Sequence, residues 1–98
     1  MQIEFGDGEL EKLATDAAYA GKWAPEIIKA YRRQVQAIVA AKDERDLRYR
    51  GGNHFERLKG DRSHQHSMRL NDQWRLILEI TTGERGKTVR LVEITDYH

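Results

Sequence analysis

Apolar positions in the first half of the chain recur every three or four residues, and in the second half every two. Leu10, Leu13, Ala14 and Ala17 form one stripe, predicting an amphipathic helix capped by Asp7 and closed near Gly21. Glu9 and Glu11 suit the positive end of its dipole. Pro25 opens a clearer stripe of Ile27, Ile28, Tyr31, Val35, Ile38 and Val39. That pattern predicts a helix over 25–42, with Lys29, Arg32, Arg33 and Gln36 on its other side. Two such helices with a short link predict an antiparallel hairpin. Their apolar stripes read as core rather than as a partner surface. A further helical turn is expected from Asp43 to Tyr49, stopped by Gly51-Gly52-Asn53.

From His54 onward the alternation predicts strands. The first runs from His54 to Leu58 and turns through Lys59-Gly60-Asp61-Arg62-Ser63. The second, His66 to Leu70, puts Met68 and Leu70 on one face and Ser67 and Arg69 on the other. Asn71-Asp72 is a tight-turn pair. Beyond it Trp74, Leu76, Leu78 and Ile80 alternate with Arg75, Ile77 and Glu79. A turn at Thr82-Gly83-Glu84-Arg85-Gly86 leads to a last strand from Lys87 to Thr95, and Gln2-Ile3-Glu4-Phe5 reads as a short edge strand. Helices followed by a strand meander predict an α+β fold: an N-terminal helical hairpin packed on one face of a twisted antiparallel β-sheet. The other face is expected to stay partly open to water, where a site can lie.

A chain of 98 residues is one domain with a modest core. The formal net charge of +1 names no partner, but the charge is unevenly spread. Residues 1–47 hold 7 basic and 9 acidic side chains, and residues 48–98 hold 10 and 7. The basic excess is therefore local, and a local basic face attracts phosphate. With no cysteine, disulfides and thiolate metal sites are excluded, which suits a reducing cytoplasm. The opening residues lack the build of a signal peptide and no apolar run approaches membrane length, so a cytoplasmic protein without a membrane partner is expected.

Arg57, Lys59, Arg62, Arg69 and Arg75 fall within one span whose acids are Asp61 and Asp72. Pleating can point Arg57 and Lys59 together, and Arg69 and Arg75 can join them as cross-strand neighbours. The result is either a phosphate-binding surface or a solvated face whose charges keep sheet edges apart. His64 and His66 lie on one side of an extended segment, a metal pair only if a third ligand exists; otherwise they are surface or hydrogen-bonded histidines. The chain closes on Asp96-Tyr97-His98, three side chains that handle protons. This is either a frayed end or a site held by the last strand, with Asp96 and His98 sharing a face. No glycine-rich phosphate loop and no serine or cysteine nucleophile motif is present.

The combination of Leu58-Lys59-Gly60-Asp61-Arg62, then Asn71-Asp72-Gln73-Trp74-Arg75, then the terminal Asp96-Tyr97-His98 resembles the HigB-type toxins. These are the plasmid maintenance system killer branch of the RelE/ParE superfamily, and the resemblance spans nearly the whole chain. It implies a RelE/ParE-like fold similar to microbial ribonucleases, and a toxin of a type II toxin–antitoxin system. Such toxins cut mRNA in the ribosomal A site without a metal or other cofactor, the RNA 2′-OH attacking the adjacent phosphate. Their partners are mRNA and rRNA, and a helix-turn-helix antitoxin of the HigA kind.

Carried over by motif, Lys59 and Arg75 would stabilise charge, and His98 would be the acid or base. Asp96 would orient His98, Tyr97 would stack on a base or position the backbone, and Arg62 and Arg69 would contact RNA, with Arg57 added as an RNA contact from the basic surface above. The cations would lower the His98 pKa. Glu56 stands where some members carry a histidine, and Asn71 where some carry a basic residue. The ParE branch supplies a different expectation on the same architecture, a non-catalytic inhibitor that binds DNA gyrase.

Overall fold

The computed structural model describes residues 1–48 and 54–96. The expected stop at Gly51-Gly52-Asn53, and Tyr97 and His98, lie outside the described residues. The chain begins with β1 (Gln2–Phe5), then α1 (Gly8–Thr15), α2 (Pro25–Ala40) and α3 (Glu44–Arg48). β2 (Glu56–Arg57), a 3₁₀ turn (Gly60–Arg62), β3 (Gln65–Arg69), β4 (Trp74–Gly83) and β5 (Gly86–Asp96) follow. The strands form one sheet in the order β1-β5-β4-β3-β2. The sheet is mixed, which corrects the antiparallel expectation: β1 runs parallel to β5. A strand placed before the helices reaches the far edge of the meander, and its partner there is fixed by the fold rather than by a hairpin turn.

Asp7 caps α1 as expected, its Oδ1 accepting from the Leu10 amide at 2.8 Å. The helix ends at Thr15 rather than near Gly21. Asp16 turns extended and its carboxylate takes the Ala18 amide at 3.0 Å, a local bond that competes with the next helical one. Arg32, expected on the solvated side of α2, instead donates through Nε to the Leu13 carbonyl at 2.8 Å and so satisfies the end of α1. Tyr31 is fully buried and donates to the Leu10 carbonyl at 2.8 Å, joining the same two helices. Burial pushes its phenol well above the ordinary range.

The core gathers Leu10, Leu13, Ile28, Tyr31, Val35 and Ile38 from the helices against Met68, Leu76, Leu78, Val89 and Leu91 of the sheet. Leu47 of α3 is also fully buried, so this short helix belongs to the core. Gln34 ties α2 to β3 by donating to the Arg69 carbonyl at 3.0 Å. α3 is tied to β5 by an ion pair between Glu44 and Lys87.

β2 is shorter than the expected 54–58 strand because backbone conformation closes it from both sides. His54 has φ 45°, the left-handed region, and beyond Arg57 the chain turns through Gly60 at φ 67°. The β4–β5 hairpin is longer than expected: pairing continues to Gly83 and Gly86, leaving Glu84-Arg85 as its turn. One irregularity decides the geometry below. Ile77 pairs with Glu93 but Leu78 pairs with Leu91, so Val92 is an extra residue bulged out of β5.

Candidate functional site

The face of the sheet away from the core carries Gln65, Ser67 and Arg69 from β3, and Arg75, Ile77 and Glu79 from β4. These six meet as direct cross-strand pairs: Gln65 with Glu79, Ser67 with Ile77, Arg69 with Arg75. Glu93 and Thr95 of β5 join them opposite Ile77 and Arg75. The face is less open than expected, since Gln65, Ser67, Arg75 and Ile77 are all buried.

Arg75 is the deepest cation of the face, 4 % exposed, and donates to the His54 carbonyl at the entry to β2. Arg69 sits directly opposite, bonded to the Asn71 carbonyl at 3.3 Å and paired with the Asp72 carboxylate. Two guanidinium groups face to face repel, and acceptors on each side offset that cost. Arg62 reaches the same face from the 3₁₀ turn. Its Nε donates to Gln65 Oε1 at 2.7 Å and its terminal nitrogen to Glu93 at 3.3 Å. Gln65 passes the link to Glu79 at 2.9 Å, and His64 lies 3.6 Å from the same carboxylate. Charge on this face is thus balanced in an ordered network rather than left as a bare basic stripe.

Three expected placements change. Arg57 pairs with His66, whose own partner is the core residue Leu78, so Arg57 lies on the helix side of the sheet, opposite Arg69 and Arg75. Lys59 lies just past β2, exposed, at the expected turn and immediately before the 3₁₀ segment. The two histidines also separate. His64 approaches Glu79 on the open face, whereas His66 stacks on Phe55 with ring centroids 4.9 Å apart on the other. Burial first, and then the positive charges of Arg48 and Arg57, lower the pKa of His66. Among the described residues no group of three or more His, Cys, Asp or Glu side chains is placed to hold a metal ion.

Asp96 is the third change. Val89 and Leu91 face the core, so unbroken alternation would put Asp96 on the open face beside the arginines. The Val92 bulge resets the phase, and Asp96 pairs with Trp74 on the helix side. There its carboxylate accepts from Gln73 Nε2 at 3.0 Å. Trp74 meets Trp23 edge to face at 5.1 Å, and Trp23 donates to Glu9 at 3.1 Å. A groove of about 430 Å³ between this pair and the β3–β4 turn opens next to the end of β5.

Gln65, Glu79 and Glu93 were not among the residues expected to form the site. Alternation along β3 and β4 carried the signal for the first two, but the bulge hid it for Glu93.

Two comparisons of sequence place this chain among known proteins. A family model described as the RelE-like toxin HigB of type II toxin–antitoxin systems matches residues 3–98. The chain belongs to the HigB-like toxins. Toxin HigB-1 of Vibrio cholerae serotype O1 is 36 % identical over 83 residues, covering 85 % of this chain and 87 % of that protein. A solved YoeB/ParE toxin from Agrobacterium tumefaciens matches all of both chains with a TM-score of 0.62 at 14 % identity, a likeness of fold. Membership of a type II toxin–antitoxin family implies an antitoxin partner for this HigB-like toxin. No helix among its described residues is long and apolar enough to cross a membrane.

Proposed function

We propose that this toxin is a ribosome-dependent endoribonuclease that cuts mRNA in the A site and so stops translation. The observation that carries the reading is the buried Arg75 opposite Arg69 on a sheet face whose other side chains, apart from Ile77, are polar, in a chain of the HigB-like family. RNA carries its own nucleophile, the 2′-OH next to the scissile phosphate, so the protein's work is proton transfer and charge stabilisation. Arg75 and Lys59 neutralise the pentacoordinate phosphate. His98 moves the proton, with Asp96 and Tyr97 as its neighbours in the chain. Arg62 and Arg69 contact RNA phosphates on the open face, and Arg57 contacts RNA from the sheet edge.

Neither a metal ion nor a cofactor is needed for this reaction, because no step requires a nucleophile beyond the ribose. A helix-turn-helix antitoxin neutralises the toxin in the cytoplasm, where its ribosomal substrate lies. Induced expression of the wild type, Lys59→Ala and His98→Ala, with mRNA 5′ ends mapped during growth arrest, tests the reading. New ends within coding regions are expected for the wild type and lost in both variants. Arrest without new ends would sink the nuclease, and arrest surviving both substitutions would point instead to inhibition by binding a protein such as DNA gyrase.

A further inference from the structure

Ser67 stands at the middle of β3 on the open face, 1 % exposed, and its hydroxyl has no hydrogen-bond partner among the described residues. Its neighbours explain how so small a side chain becomes buried. Glu56 and Ile77 lie directly across on β2 and β4, Gln65 and Arg69 flank it along β3, and Arg75 is its diagonal neighbour. All are longer than serine, so the hydroxyl is the floor of a recess walled by long side chains. The polar ends of the walls are engaged with one another or with the turns: Gln65 with Arg62 and Glu79, Arg69 with Asn71 and Asp72. None of them reaches back to Ser67.

A buried hydroxyl without a partner lowers stability, and an alanine of nearly the same size would remove that cost. Such a group makes physical sense where its partner arrives with a ligand. Two arginines border this recess, and a hydroxyl flanked by guanidinium groups matches an anionic oxygen.

We propose that Ser67 donates a hydrogen bond to a non-bridging oxygen of the scissile phosphate, beside Arg75. This rests on the nuclease reading above and adds a phosphate-contacting residue to it. The proton stays on Oγ throughout. No bond forms to serine, and the attacking oxygen remains the ribose 2′-OH. The Arg69 guanidinium, held at the surface by Asp72, is the wall that moves when it exchanges that carboxylate for the incoming phosphate.

Purified wild type and Ser67→Ala are compared in single-turnover cleavage of a short mRNA on programmed ribosomes, and in thermal melting with and without inorganic phosphate. Ser67→Ala is expected to melt at or above the wild-type temperature, yet to cleave about 10- to 100-fold more slowly at saturating ribosomes. Phosphate is expected to raise the melting temperature of the wild type more than that of the variant. Wild-type cleavage by Ser67→Ala overturns the proposal, as does a slower variant that is also less stable. If the wild type itself cuts nothing, the nuclease reading falls and the phosphate series alone decides. Equal stabilisation of both proteins then overturns the Ser67 contact.

Discussion

Arg69 and Arg75 face one another directly across the β3–β4 ladder, one at the rim and one in the sheet's interior. Like charges so placed favour an anion between them, and the two should respond differently to neutralisation. Arg69→Gln loses an exposed ion pair and relieves repulsion, so stability should change by less than about 0.5 kcal/mol. RNA affinity should fall, with the log–log salt slope shallower by about 1. Arg75→Gln removes a buried donor to the His54 carbonyl and should cost about 2 kcal/mol as well as activity. Denaturant unfolding alongside RNA titration at several salt concentrations separates the two effects.

Gly6 approaches the backbone of β5 so closely that its amide donates to the Leu91 carbonyl at 2.6 Å. A Cβ at this position would lie 2.5 Å from that same oxygen. Gly6→Ala should therefore push β1 away from β5 and cost about 2 kcal/mol or more. Gly8→Ala, whose Cβ would meet nothing within 4 Å among the described residues, is the matched control and should leave the unfolding midpoint nearly unchanged.

His66 has its pKa lowered first by burial and then by the charges of Arg48 and Arg57, with Glu44 opposing them. Its folded pKa lies below the ordinary 6.5, so the unfolded chain binds the proton more readily. The stability tied to neutral His66 is thus full above 6.5 and lost as pH falls through the folded value. Melting curves between pH 8 and pH 5 should show this loss in the wild type. His66→Phe, which keeps a ring against Phe55, should show less of it.

Glu44 and Lys87 join α3 to the start of β5 through a partly buried ion pair. The hydrogen bond from Lys87 holds the Glu44 carboxyl below its ordinary 4.5. Its contribution is present above that value and lost as pH falls through the lowered one. Glu44→Gln should cost about 1 kcal/mol at neutral pH. A double-mutant cycle with Lys87→Met measures the pairwise part.

Much of this architecture could be read locally. The stripe from Ile27 to Ile38 foretold α2, and Asp7 foretold the start of α1, because helix periodicity and capping act over a few residues. Alternation from Met68 to Ile80 likewise foretold which face of β3 and β4 would meet the core. It therefore also foretold that Ser67, Arg69, Arg75 and Glu79 would share the other face. Less was legible where a side chain found a distant partner. Arg32 looked solvent-bound on a helical wheel, but it satisfies carbonyls at the end of α1. Asp16 looked like a residue within a helix, yet its carboxylate ended one.

What the sequence by itself determined was the type of each main element, the single core and the local concentration of cations, since these follow from short-range periodicity and composition. The specific run of motifs also identified the toxin family. Tertiary structure alone decided the parallel docking of β1, the separation of Arg57 from Arg69 and Arg75, and the side on which Asp96 lies. Each depends on how distant segments are registered. One bulged residue, Val92, reverses the facing of everything after it in β5, and nothing in the local pattern marks the spot where the ladder slips.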